Sequence, residues 1–221
     1  MKKYVNLFVF VFMIGACLSQ GRAQTKSAVG YKNLIVEIAM PDPTVIKAAD
    51  GYFYVYATES TRNVPIMKSK DLVEWTYCNT AFTNKTRPRF EPKAGIWAPD
   101  INYINGKYVL YYAMSVWGGE QTCGIGVATA NSPQGPFTDH GKMFRSNEIG
   151  VQNSIDPSLL QYEGRNYLVW GSFRGIYVIE LTTDGLSIMP GAKKKRIAGT
   201  AFEAVYIHKH DDYYYMFYKA L

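Results

Sequence analysis

The chain has 221 residues, 48% of them hydrophobic, which is ample for a packed core and excludes a disordered chain. Aromatic residues make up 15%, and many of the 18 tyrosines gather in "YFYVY", "YVLYY" and "YYYMFY", a usage that suits strands and predicts an all-β fold. The formal charge of +6 falls to +3 if Lys2, Lys3 and Arg22 leave with an N-terminal signal, and no basic stripe interleaves with stacking aromatics, so nucleic acid is not an expected partner.

Lys2 and Lys3 open the chain, Tyr4 to Met13 is mostly apolar, and small residues follow in "GACLSQGRAQ", which is the pattern of an export signal. The apolar run is shorter than the roughly 20 residues a membrane span needs, so no transmembrane span is expected. Two exits compete. Gly21-Arg22-Ala23 before Gln24 suits ordinary signal peptidase and gives a signal over 1–23, whereas Ile14-Gly15-Ala16-Cys17 looks like a lipobox that would anchor the protein through Cys17. Either way the protein is expected to be exported, periplasmic or extracellular, with a lead-in at 24–37 and the folded unit at 38–221. Cys78 and Cys123 remain, and oxidising conditions would permit one disulfide that their spacing does not establish. There is no CxxC, and His140, His208 and His210 lack metal-ligand spacing, so structural zinc is not indicated.

From residue 38 onward one pattern recurs four times: "IAMPDPTVIKAADGYFYVYATES", "APDINYINGKYVLYYAMS" from Ala98, "SIDPSLLQYEGRNYLVWGSF" from Ser154 and "AFEAVYIHKHDDYYYMFYKA" from Ala201. Each copy reads as an acidic residue, a short strand, a polar turn and an aromatic strand. The acids are Asp42, Asp100, Asp156 and Glu203, at spacings of 58, 56 and 47, the length of a four-stranded blade. Segments such as "VPIMKSKDLVEWTYC" and "CGIGVATANSPQGPFTDHG" supply third and fourth strands, and "KKKR" at 193–196 reads as a solvated turn. No long helical period occurs, so radial blades of a β-propeller are predicted. The innermost strands of such a fold line a central funnel, which would bring Asp42, Asp156 and Glu203 together. One such acid alone is most simply a strand-end cap; several in register repel one another, which raises the pKa of at least one and sets a proton donor near an ionised acceptor. Asp100 is the one that most simply organises the funnel.

"PDPTV", "GIWAPDINYINGKYVLYYA", "NSIDPSLL…YLVWGSF" and "GTAFEAVYI", in this order from Met40 onward, resemble the motifs of glycoside hydrolase family 43, the five-bladed propeller arabinanases and xylosidases. The resemblance implies a glycosidase acting with inversion, with Asp42 as general base, Glu203 as general acid, and Asp156 orienting the acid and tuning its pKa. It is most like the endo-acting α-1,5-arabinanases, which implies an arabinan-like polysaccharide or oligosaccharide as partner. Arabinofuranosidase or β-xylosidase specificity, or a non-catalytic carbohydrate-binding propeller, are the alternatives. Trp97 is expected as a sugar-stacking platform or a core aromatic between blades, with Asp100, Asn153, Ser154 and Phe173 as further sugar contacts. The residues present assign no cofactor, and the resemblance leaves a central calcium or a water cluster open for the complete family fold. The family propeller has five blades and this sequence holds about three and a half, so it is expected to be truncated at its C-terminus, and a monomer when complete.

Overall fold

The computed structural model describes residues 36–220; the expected export signal, Cys17 and all but the end of the expected lead-in lie outside the described residues. β1 (Thr44–Lys47), β2 (Phe53–Tyr56), β3 (Pro65–Ser69) and β4 (Thr76–Thr80) form an antiparallel meander. A second sheet holds β5 (Gly95–Ile104), β6 (Lys107–Ser115), β7 (Gly124–Ala130) and β8 (Thr138–Arg145), followed by the one-turn helix α1 (Ser146–Ile149). β9 (Ser158–Tyr162), β10 (Arg165–Trp170), β11 (Ile176–Glu180) and β12 (Lys195–Ala198) form a third, and β13 (Phe202–His210) pairs with β14 (Tyr213–Ala220) as a two-stranded fourth. The first strand of each sheet touches that of the next, β1 to β5, β5 to β9 and β9 to β13, which is the radial arrangement of a propeller. The described residues hold three and a half blades of it, as the four repeats predict.

The aromatic second strands follow from this stacking. Side chains alternate between the faces of a strand, and along β6 Tyr108, Leu110, Tyr112 and Met114 enter the core shared with the first sheet, while Val109 and Tyr111 enter the core shared with the third. A blade covered on both faces is therefore apolar at nearly every position. β10 repeats the device, with Leu168 and Trp170 facing the second sheet and Val169 facing β13 and its Val205. Trp170 is fully buried, its burial contributing about 1.5–3 kcal/mol, and its indole N–H donates to Ser154 Oγ at 3.1 Å.

One question left open is answered here and one expectation is corrected. Cys78 and Cys123 are free thiols, Cys78 on β4 of the first sheet and Cys123 buried at the entry to β7 of the second. Lys195 and Arg196 of "KKKR" are not in a turn; they begin β12, the outermost strand of its sheet, where exposed charge discourages pairing with another edge. Among the described residues no helix is long and apolar enough to cross a membrane.

Candidate active site

Three strand mouths share one unusual backbone conformation. Asp42, Ala98 and Asp156, each followed by proline, have φ of 48°, 40° and 56°. A residue before proline ordinarily takes extended backbone with negative φ, so each mouth holds local strain of about 1–3 kcal/mol that the packed blades must sustain. The match also corrects the repeat. The place equivalent to Asp42 and Asp156 in the second sheet belongs to Ala98, and Asp100 lies two residues further, about 7 Å along β5.

Antiparallel register then assigns each acid a neighbour on the second strand. Continuing the Thr44–Tyr56 pairing sets Asp42 opposite Thr58, whose hydroxyl donates to Asp42 Oδ2 at 2.6 Å and accepts the Ala98 N–H at 2.7 Å. Glu203 pairs with Lys219, and Lys219 Nζ donates to Glu203 Oε1 at 2.7 Å. The other oxygen, Oε2, accepts from Ser172 Oγ at 3.0 Å. Ser172 reaches it because Gly171 turns the chain at φ 124°, where a Cβ would stand 2.2 Å from the Gly175 carbonyl oxygen. Asp156 Oδ2 accepts the Ala204 N–H at 3.2 Å, which ties the third sheet to the fourth beside Glu203.

Asp42, Asp156 and Glu203 line one cleft of about 730 Å³, with Trp97, Asp100, Trp117 and Lys219. The Trp97 and Trp117 rings stand edge to face at 6.1 Å, and Trp117 is 94% exposed. Acids at the floor and indole faces at the rim suit a ligand with many hydroxyls and apolar ring faces.

Burial, and then the charges of Glu203 and Asp42, push the Asp156 carboxyl up to about 7 against the Ala204 N–H, which opposes them. Asp100 is pushed up to about 6 by burial, against hydrogen bonds from the Leu159 N–H, Asn102 and Thr44. Both acids hold their proton more tightly in the folded chain than in the unfolded one. Their stabilising contribution is therefore full below the ordinary carboxylate range and is lost as pH rises through that range to about 7. Asp156→Asn keeps an acceptor for Ala204, and should gain about 2 kcal/mol over the parent near pH 8 and nothing near pH 4. That is a rise of roughly 5 °C in melting temperature at the higher pH alone. A difference in melting temperature that is the same at both pH values would refute the raised proton affinity.

The remaining sequence-predicted contacts are placed differently. Asp100 reaches the cleft, but Oδ2 accepts from the Leu159 N–H and Asn102 Nδ2, both at 2.7 Å, so it joins sheets rather than facing a ligand. Ser154 is corrected outright: it is fully buried, donates to the Val151 carbonyl and accepts from Trp170. Asn153 lies behind the cleft and donates to the Ser172 carbonyl at 3.0 Å, supporting the turn that reaches Glu203. Phe173 is half-buried and outside the lining. Thr58, Ser172, Lys219 and Trp117 were not foreseen. Hairpin register could have found Thr58 and Lys219, and a tryptophan beside two glycines in "SVWGG" could have marked Trp117 as a surface ring. Calcium takes six to eight oxygen ligands. Among the described residues no group of three or more His, Cys, Asp or Glu is gathered where it could hold a metal ion.

The family model of Glycosyl hydrolases family 43 matches residues 31–220. Arabinan endo-1,5-alpha-L-arabinosidase A of Aspergillus niger is 31% identical over 188 residues, which are 81% of this chain and 57% of that protein. Extracellular endo-alpha-(1->5)-L-arabinanase 1 of Bacillus subtilis (strain 168) is 33% identical over 236 residues, 98% of this chain and 71% of that one. Among solved structures, native Bacillus subtilis arabinanase superposes with a TM-score of 0.71 at 32% identity, over 81% of this chain and 65% of its own. Cellvibrio cellulosa alpha-L-arabinanase complexed with arabinohexaose superposes at 0.73 with 27% identity, over 83% and 65%. The chain thus spans less than two thirds of the Aspergillus relative it matches.

Proposed function

The chain belongs to Glycosyl hydrolases family 43, and from that premise we propose that it hydrolyses an α-1,5-linked arabinan or a closely related polysaccharide with inversion at the anomeric carbon. The observation that carries this reading is the convergence of Asp42, Asp156 and Glu203 on one cleft rimmed by Trp97 and Trp117. Asp42 takes a proton from a water whose oxygen attacks the anomeric carbon. The bond to the departing sugar breaks with its electron pair on the glycosidic oxygen, and Glu203 gives that oxygen its proton. An inverting pair leaves room for the water, about 6.5–9.5 Å between carboxyl groups. Thr58 fixes Asp42, Ser172 fixes Glu203, and Asp156, by accepting the Ala204 N–H, fixes the backbone next to the acid.

Incubating the purified protein with linear α-1,5-arabinan and following the anomeric protons by NMR tests the reading. The newly formed reducing end should appear first as the inverted anomer; the retained anomer would refute the mechanism. One observation favours a second reading, a carbohydrate-binding propeller without turnover: both Glu203 oxygens already accept hydrogen bonds, Oε1 from Lys219 Nζ and Oε2 from Ser172 Oγ. Binding of arabino-oligosaccharides with no hydrolysis would select it. The Lys219 side chain is 70% exposed, so it is free to swing aside when a sugar enters. We further propose export, from the Lys2-Lys3 start and short apolar run. Mass spectrometry of the mature protein should show a chain beginning at Gln24 or a lipidated Cys17, and an intact Met1 would exclude both.

A further inference from the structure

A second concavity, of about 420 Å³, opens beyond the cleft and is lined by Arg62, Arg87, Arg89, Glu91 and Lys93. Its charges divide into spent and unspent. Arg87 is buried and fully engaged, paired with Glu59 and donating to the Ala94 carbonyl at 2.8 Å. Glu91 has Oε2 buried beside the Arg145 guanidinium at 3.0 Å, so its charge is matched although the approach is too oblique for a hydrogen bond. Arg62, Arg89 and Lys93 have no carboxylate partner among the described residues. The two guanidinium groups are held by one residue: Arg62 Nε donates to Asn84 Oδ1 at 3.0 Å, and Arg89 Nη2 donates to the Asn84 carbonyl at 2.8 Å. Each bond leaves further N–H donors of that guanidinium free. A pair of oriented guanidinium groups with a nearby ammonium is a receptor for an oxyanion, because the planar fork matches the two oxygens of a carboxylate.

Its position points to what carries the anion. Ala94 lines this concavity and Trp97, three residues on in β5, lines the cleft; Met114 near the end of β6 lines the concavity and Trp117, in the turn that follows, lines the cleft. Three residues of extended chain span about 10 Å, a gap that a short oligosaccharide crosses, and the exposed Trp117 ring stands beside it. We propose that this concavity is an acidic-sugar subsite, in which Arg62, Arg89 and Lys93 bind the carboxylate of a uronate carried on the same polysaccharide that enters the cleft. The substrate class is then a neutral glycan attached to, or interrupted by, carboxylated sugars. The inference rests on the saccharide reading of the cleft, and goes beyond it by naming a charged component of the substrate.

Isothermal titration calorimetry with trigalacturonate, arabinohexaose and inorganic phosphate tests it, alongside hydrolysis of neutral linear arabinan by the same preparation. Trigalacturonate should bind the parent protein, more weakly as salt is raised. It should bind at least about tenfold more weakly to the triple variant Arg62→Ala, Arg89→Ala, Lys93→Ala, the loss of one or more charge-assisted hydrogen bonds. Arabinohexaose should bind both proteins alike. Arg89→Glu alone, an exposed change that keeps the fold, should also abolish trigalacturonate binding through like-charge repulsion. No binding of trigalacturonate to the parent, or equal binding to the variants, overturns the subsite. Phosphate binding as tightly as trigalacturonate overturns its assignment to a sugar in favour of a free oxyanion. Failure to hydrolyse neutral arabinan counts against the proposed reaction, and trigalacturonate binding that depends on Arg62, Arg89 and Lys93 would still support the subsite.

Discussion

Glu203→Gln should slow hydrolysis of linear α-1,5-arabinan about a thousandfold, within the 10²–10⁴ that a positioned general acid supplies. An aryl arabinofuranoside with an activated leaving group should lose about tenfold or less. The difference between the substrates is the informative quantity. A sugar leaves as a strongly basic alkoxide unless it is protonated as the bond breaks, whereas an activated phenolate leaves without help. The substituted amide would still accept the Ser172 hydroxyl that now reaches Glu203 Oε2 at 3.0 Å, so the side chain keeps its place and KM should change little. Loss of the Lys219 pair costs little in stability, because that lysine is exposed. Asp42→Asn should slow both substrates alike, because activation of the attacking water is needed whatever leaves. Equal losses on the two substrates for Glu203→Gln would remove it from the role of proton donor.

Arg87→Met should destabilise the fold by about 3–5 kcal/mol, because it strands Glu59 as a buried, unpaired carboxylate, and the melting temperature should fall by roughly 10 °C. Both side chains are under 10% exposed. Burial alone would push the Glu59 carboxyl up. The bonds from Arg87, the Asn63 N–H and the Ile96 N–H more than offset it and hold the carboxyl below its ordinary range. Its contribution is therefore present above the ordinary carboxylate pKa and is lost as pH falls below it. The double variant Glu59→Gln, Arg87→Met removes the stranded charge and should recover at least about half of the loss, which thermal melts of the two variants measure directly. If it recovers nothing, packing rather than charge is what Arg87 supplies. The consequences reach the cleft by a short path. Glu59 holds the Ile96 N–H at 2.9 Å, and its neighbour Thr58 joins Ala98 to Asp42. A loosened Glu59 frees the start of β5, and a misplacement of about 1 Å at reacting groups can cost a hundredfold in rate.

Fold class, the length of a blade and the three carboxylates of the cleft could all be read from residue order. In each case the signal is local: a two-sided apolar strand writes aromatic runs such as "YVLYY", and an acid at a strand mouth recurs with the blade. The position of Asp100 could not be read that way. Counting acids put it in line with Asp42 and Asp156, but the left-handed residue before proline is Ala98, and the irregular pairing between Trp97 and Asp100 moves the acid two residues inward. Ser154 could not be read either. A serine beside an expected catalytic acid reads as a sugar contact, until packing of the third sheet turns its hydroxyl towards Trp170. Lys219 beside Glu203, Ser172 beneath it, and Asn84 holding Arg62 and Arg89 depend on which way each side chain leaves a folded backbone. These contacts join residues from 5 to 31 positions apart. Periodicity states that a strand exists and which faces are apolar; hairpin register, bulges and the approach of one sheet to the next decide which polar atoms meet, because those distances exist only once the blades have packed.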